Sequence, residues 1–148
     1  MQGYSITETA RLSLAAARQE CSALKHDYIR PEHILLGLAS SDDRTLLQVW
    51  SGLNIDPVDI RRATLARLSP GRADNDGPDV PYSSGARRVL EFAMHEASAL
   101  EADDLGPTYI LLGIARLQGE AAASVLQEWG ATTDRIRTVL AELRPDER

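Results

Sequence analysis

Two stretches decide the fold: RPEHILLGL, residues 30–38, and GPTYILLGI, residues 106–114. The phrase returns 76 positions later, keeping Pro and Ile-Leu-Leu-Gly and changing Glu32-His33 to Thr108-Tyr109. Working outward, Ile6–Ala39 aligns on Tyr82–Ala115 without a gap, and 15 of the 34 pairs are identical. Identity at that level marks a duplicated module.

The preserved pattern is helical. Ile6, Ala10, Leu14, Ala17, Cys21 and Leu24 step by three or four, and Tyr82, Ala86, Leu90, Ala93, Ala97 and Leu100 repeat the steps. Such spacing draws one apolar stripe along a helix. Thr7 and Ser83 stand where an N-cap oxygen accepts from the first free amides. The quoted phrase begins the second helix of each copy, with Pro31 and Pro107 in the first turn, where a missing N–H costs nothing. Gly37 and Gly113 fall inside that helix at about 1 kcal/mol against alanine, a cost that close helix approach explains. Short third helices are expected at Arg44–Trp50 and Ala121–Trp129. Fourth helices are expected from Asp56-Pro57 to Leu68, and from Thr132 or Thr133 to about Leu143. Ser69–Pro81 is rich in Gly, Pro, Asp and Asn and reads as an exposed linker. The expectation is an all-α single domain of eight helices, repeat one over 6–68 and repeat two over 82–143, with no strand.

The chain has 148 residues, enough for one compact domain. Its apolar fraction is 43% but only 5% is aromatic, so the core must come from Leu, Ala, Ile and Val. A net charge of −6 speaks against nucleic acid as the main partner, because phosphate neutralisation needs a basic face. No apolar run approaches the roughly 20 residues that span a bilayer, so no membrane role is expected. One cysteine, Cys21, allows no intrachain disulfide and suits a reducing cytoplasm. Its place on the core stripe makes it a small buried residue rather than a nucleophile.

Catalytic signatures are absent. There is no G-x-x-x-x-G-K-[ST] phosphate loop and no G-x-S-x-G elbow. His26, His33 and His95 form no i,i+4 pair of the zinc-protease kind. We therefore expect a non-catalytic protein with no cofactor and no metal site.

Thr7-Glu8-x-Ala10-Arg11, Pro31-Glu32-His33-Ile34-Leu35-Leu36-Gly37-Leu38 and their later echoes resemble the double N-terminal repeat of Clp ATPases, the ClpC type above all. The resemblance runs from about Ile6 to Leu143 and lacks the ATPase modules. It implies a pseudo-twofold helical bundle that receives substrates or adaptors for an unfoldase. It also implies phosphoarginine binding at two equivalent sites, each built from a hydroxyl at the start of the first helix and a carboxylate at the start of the second. On that pattern Thr7 and Glu32 make site one. Ser83 supplies the hydroxyl of site two, where Thr108 replaces the carboxylate, so binding is expected mainly through repeat one. Physical reasoning agrees for Glu32: a first-turn carboxylate is favoured by the helix dipole and can accept paired bonds from a guanidinium. Arg30 stands beside it, placed either to hold phosphate or to pair with Glu32. The actinobacterial ClpC type is further bound by cyclic peptide antibiotics at a surface matched here by Arg11, Tyr82 and Arg87, with Gly3 where a Phe is usual. Three roles follow as alternatives: a phosphoarginine or peptide receptor, a decoy for such antibiotics, and an adaptor docking on a Clp unfoldase.

Overall fold

The computed structural model describes residues 4–74 and 79–143. Among these described residues eight helices follow one another: α1 (Glu8–Ala23), α2 (Pro31–Ala39), α3 (Arg44–Gly52), α4 (Pro57–Leu65), α5 (Ser84–Ala99), α6 (Pro107–Arg116), α7 (Ala121–Glu128) and α8 (Thr133–Leu143). Side chains set their starts. Thr7 Oγ1 accepts from the Ala10 amide and Ser83 Oγ from the Ala86 amide, each at 3.1 Å. Asp43 caps α3 through the Leu46 amide, and Asp56 caps α4 through that of Val58, both at 3.0 Å. Each oxygen satisfies an amide that the helix itself leaves orphaned. α4 is three residues shorter than the pattern suggested, because Arg67 and Leu68 bond back to Thr64 and Leu65 in tighter turns. The ends repeat as well: α1 and α5 are followed by left-handed Lys25 (φ 58°) and Glu101 (φ 55°).

α2 and α6 form the centre, with Ile34, Leu35, Leu36, Leu38, Ile110, Leu111, Leu112 and Ile114 fully enclosed. Each lies across the long helix of its own half at a glycine. A Cβ on Gly37 would sit 2.2 Å from the Ser13 carbonyl oxygen, and one on Gly113 would sit 2.2 Å from that of Val89. Backbone on backbone leaves no side chain to yield, so the conserved glycine of the two phrases is a packing requirement. Opposite ends of each half are tied by one repeated ion pair: Arg61 to Glu20 at 2.7 Å, and Arg137 to Glu96 at 2.8 Å.

The halves are interlocked rather than merely adjacent. α3 packs on α6 and α8 of the other half, while α7 packs on α4 and α2 as well as on its own α6. Two isolated parallel bridges, absent from the sequence reading, tie the segments preceding the helices: Ile6 with Leu105 and Ile29 with Tyr82.

The connection between the halves is less free than its composition suggested. The Gly71 amide donates to the Leu24 carbonyl at 2.7 Å and the Ala73 amide to that of Lys25 at 2.9 Å. At the other end Val80 is buried, and its carbonyl accepts from Arg18 at 2.7 Å. Loop carbonyls and amides need partners as strands do, and α1 supplies them. Gly3 and residues 75–78 lie outside the described residues.

Candidate functional site

The two bridges decide which helix starts meet. The Thr7 amide donates to the Leu105 carbonyl at 3.1 Å, and Leu105 returns a bond to Ser5 at 2.9 Å. Thr7 therefore stands beside the start of α6, with Gly106, Pro107 and Thr108. The Ser83 amide donates to the Ile29 carbonyl at 2.9 Å, which sets Ser83 beside the start of α2. The pairing expected from the repeat, Thr7 with Glu32, is thus crossed: each hydroxyl faces the second helix of the other half. Chain order groups residues by repeat, whereas the pseudo-twofold groups them across it.

At the α2 mouth the carboxylate is already engaged. Glu32 is only 5% exposed, and its Oε2 accepts from the Ala122 amide at 3.0 Å. Glu32 thereby caps α7, whose own Glu120 makes no cap bond. Burial pushes the Glu32 carboxyl above the usual range, the Ala122 bond opposes that rise, and the charge of Glu120 adds to it. Glu120 and Pro31 both crowd Gly85, whose added Cβ would lie 3.1 and 3.4 Å from them. Arg30 is exposed and caps α2 without a side-chain bond.

The α6 mouth is open. A cavity of about 390 Å³ lies where the starts of α1, α3 and α6 converge, framed by Thr7, Asp43, Glu101, Asp103, Asp104 and Thr108. Asp43 is fixed there by the Thr9 hydroxyl at 2.6 Å and by its cap bond to α3. Thr108 is 3% exposed, and its Oγ1 has no hydrogen-bond partner. A buried hydroxyl without a partner carries a desolvation cost, so it marks a place where an added polar group is rewarded. α6 begins at Gly106, which offers no side-chain cap. Among the described residues, no Lys or Arg lines the cavity.

The expected peptide surface is only partly assembled. Arg87 reaches back to the Tyr82 carbonyl at 3.0 Å, and the Arg18 guanidinium lies 5.9 Å over the Tyr82 ring. Arg11 is instead paired with Glu8 at 2.8 Å.

Sequence reading missed Asp43, because α3 belongs to the other end of its own repeat and reaches the cavity only through the exchange of third helices. It also missed a buried histidine pair. His33 Nδ1 accepts from the Arg30 amide at 2.8 Å, so His33 Nε2–H donates to His26 Nδ1, again at 2.8 Å. His26 Nε2–H then donates to the Ser69 carbonyl at 2.6 Å. The Arg30 donor leaves His33 Nδ1 as an acceptor, which places the His33 proton on Nε2 and keeps that ring neutral. Burial first, and then the neighbours His26 and Arg30, lower the His33 pKa to about 4. Cys21 is fully buried, with Sγ 3.4 Å from the His26 carbonyl and 3.3 Å from that of Tyr28. Burial pushes its thiol up, away from the thiolate a nucleophile needs.

The described residues thus form an all-α class of domain, two interlocked four-helix repeats with an open polar cavity where helix starts cross. Comparison with known proteins gives the particular family: residues 5–129 match the Clp repeat (R) N-terminal domain, and the chain belongs to it. The ClpC/MecB negative regulator of genetic competence from Bacillus subtilis is 31% identical over 137 residues, covering 93% of this chain and 17% of that protein. The chain thus spans about a sixth of that relative's length. Among solved structures, the Hsp104 N-terminal domain from Candida albicans superposes with a TM-score of 0.77 at 18% identity, over 95% of this chain and 91% of that one. A ClpV N-domain in complex with a VipB peptide gives 0.68 at 17% identity, over 93% and 88%. Among the described residues no helix is long and apolar enough to cross a membrane.

Proposed function

We propose that this chain is a non-catalytic recognition module of a Clp protein-remodelling or degradation system, and that it binds peptide segments at the cavity beside Thr7 and Thr108. One observation carries the reading: Thr108, whose buried hydroxyl has no partner, is part of the wall of an open cavity at three converging helix starts. The peptide-bound ClpV N-domain supports it as a related fold that holds a peptide. The chemistry suits a guanidinium-bearing side chain, with phosphoarginine as the modified form to be compared. Asp43 and Asp103 or Asp104 can accept charge-assisted N–H bonds, and Thr7 and Thr108 can accept or donate beside them. The uncapped start of α6 is where a phosphoryl group would be tolerated, because helix amides and dipole favour anions. Ser83, Arg30 and Glu32 lie at the other mouth, where the carboxylate is spent on α7.

Amide chemical-shift mapping by NMR tests this. Titration with a peptide carrying one arginine, in free or phosphorylated form, should move Thr7, Gly106, Thr108 and the start of α3. Shifts centred on Glu32 and Ser83 would reassign the site, and the absence of any shift in both titrations would refute the recognition reading.

A further inference from the structure

The cavity at the α6 mouth has a charge character of its own. Among the described residues its polar frame comprises four carboxylates, at Asp43, Glu101, Asp103 and Asp104, with no Lys or Arg in the lining. These acids do not converge as metal ligands do: among the described residues, no three of His, Cys, Asp or Glu are placed to hold a metal ion. They surround a space of about 390 Å³ instead, which calls for a cation with spatial extent. Thr108, buried on the same wall, adds a hydroxyl oxygen that the fold leaves without a partner.

We propose that this cavity selects the unmodified arginine side chain of a peptide, and that phosphorylation of that arginine weakens binding. The inference rests on the recognition reading given above and deepens it. A planar guanidinium has five N–H donors and distributes one positive charge over them, so it can bridge carboxylates several ångströms apart. Phosphorylation removes N–H capacity and adds up to two negative charges. Those charges would stand among four carboxylates with only the amides at the helix starts to offset them. A net charge of −6 over the whole chain draws cationic peptides and repels anionic ones.

Fluorescence anisotropy with three labelled versions of one peptide tests the proposal: central arginine, citrulline as its neutral counterpart, and phosphoarginine. The arginine peptide should bind at least about ten-fold tighter than either of the others, with affinity falling as salt is raised. Asp103→Asn with Asp104→Asn should lower arginine binding about ten-fold. Asp59→Asn with Asp134→Asn, which changes net charge equally on α4 and α8, should lower it less than two-fold, roughly what screened distant charges allow. Asp43→Asn keeps an N-cap residue on α3, so its weaker binding would report lost charge rather than lost fold. Phosphoarginine binding equal to or tighter than arginine would overturn the selectivity while leaving the recognition site standing. Arginine binding that ignores the Asp103 and Asp104 changes would remove the cavity from the explanation. Failure of all three peptides to bind would end both readings together.

Discussion

Lowering the pH from 7 to 5 should destabilise this domain through one ring. His33 is fully buried, and its pKa falls from 6.5 to about 4 on folding. The folded state therefore holds the neutral ring, while the unfolded chain takes up a proton first. The stabilising contribution is complete above the unfolded value of 6.5 and is lost as pH falls from there towards 4. Integrated over that window, the loss is about 2 kcal/mol between pH 7 and pH 5, and about 3 kcal/mol by pH 4. The structural cause is the chain of bonds from the Arg30 amide through both rings to the Ser69 carbonyl. A proton on His33 Nδ1 would face the Arg30 donor. Urea unfolding followed by the fluorescence of buried Trp50 gives the free energy at each pH. His33→Gln supplies the comparison: glutamine at the third helical position can still accept from the Arg30 amide but does not titrate. Glu32 works in the opposite direction, since its raised pKa favours the fold as acid is added, so the difference between the two proteins is the informative quantity. A wild-type slope no steeper than that of His33→Gln would refute the reasoning.

Two further outcomes follow from packing. Gly113→Ala should cost about 3 kcal/mol, because the new Cβ meets the Val89 carbonyl at 2.2 Å and only helix separation relieves it. Calorimetry should show a melting point lower by roughly 10 °C, and a change below about 2 °C would mean that α5 and α6 part easily. Glu32→Ala should lose about 2 kcal/mol by leaving the Ala122 amide buried and unpaired. Glu32→Gln keeps an acceptor and removes a charge that burial disfavours, so its stability in urea at pH 7 should stay within about 1 kcal/mol of wild type. Equal losses for the two variants would show that the charge, not the cap, is what matters there.

Much of this could be read from the sequence, and the boundary has a physical cause. The stripes through Ala10–Cys21 and Ala86–Ala97, the caps at Thr7 and Ser83 and the tight glycines all express local periodicity or local steric demand. Local rules reach across one helix. They do not say which helix start meets which, and there the reading paired Thr7 with Glu32 when the bridges at Ile6 and Ile29 pair each with the opposite half. Asp43 was invisible as a cavity residue for the same reason. His26 and His33 lie on either side of a turn, so their spacing of seven carries no helical meaning. The substitution at Thr108 did carry a signal: where the carboxylate is missing the mouth is left open, while Glu32 is occupied with holding α7.

The exchange of third helices has a consequence for how the molecule could be divided. A cut in residues 69–81 would release two fragments, the first without the α7 that packs on its α2 and α4, the second without the α3 that packs on its α6 and α8. Such fragments are built to find one another in solution rather than to fold apart. One repeat alone would carry a vacant berth and a spare helix of matching shape, the geometry from which two identical chains make a closed symmetric pair. The connection at 69–81 turns that pairing between molecules into a property of one molecule, independent of its concentration.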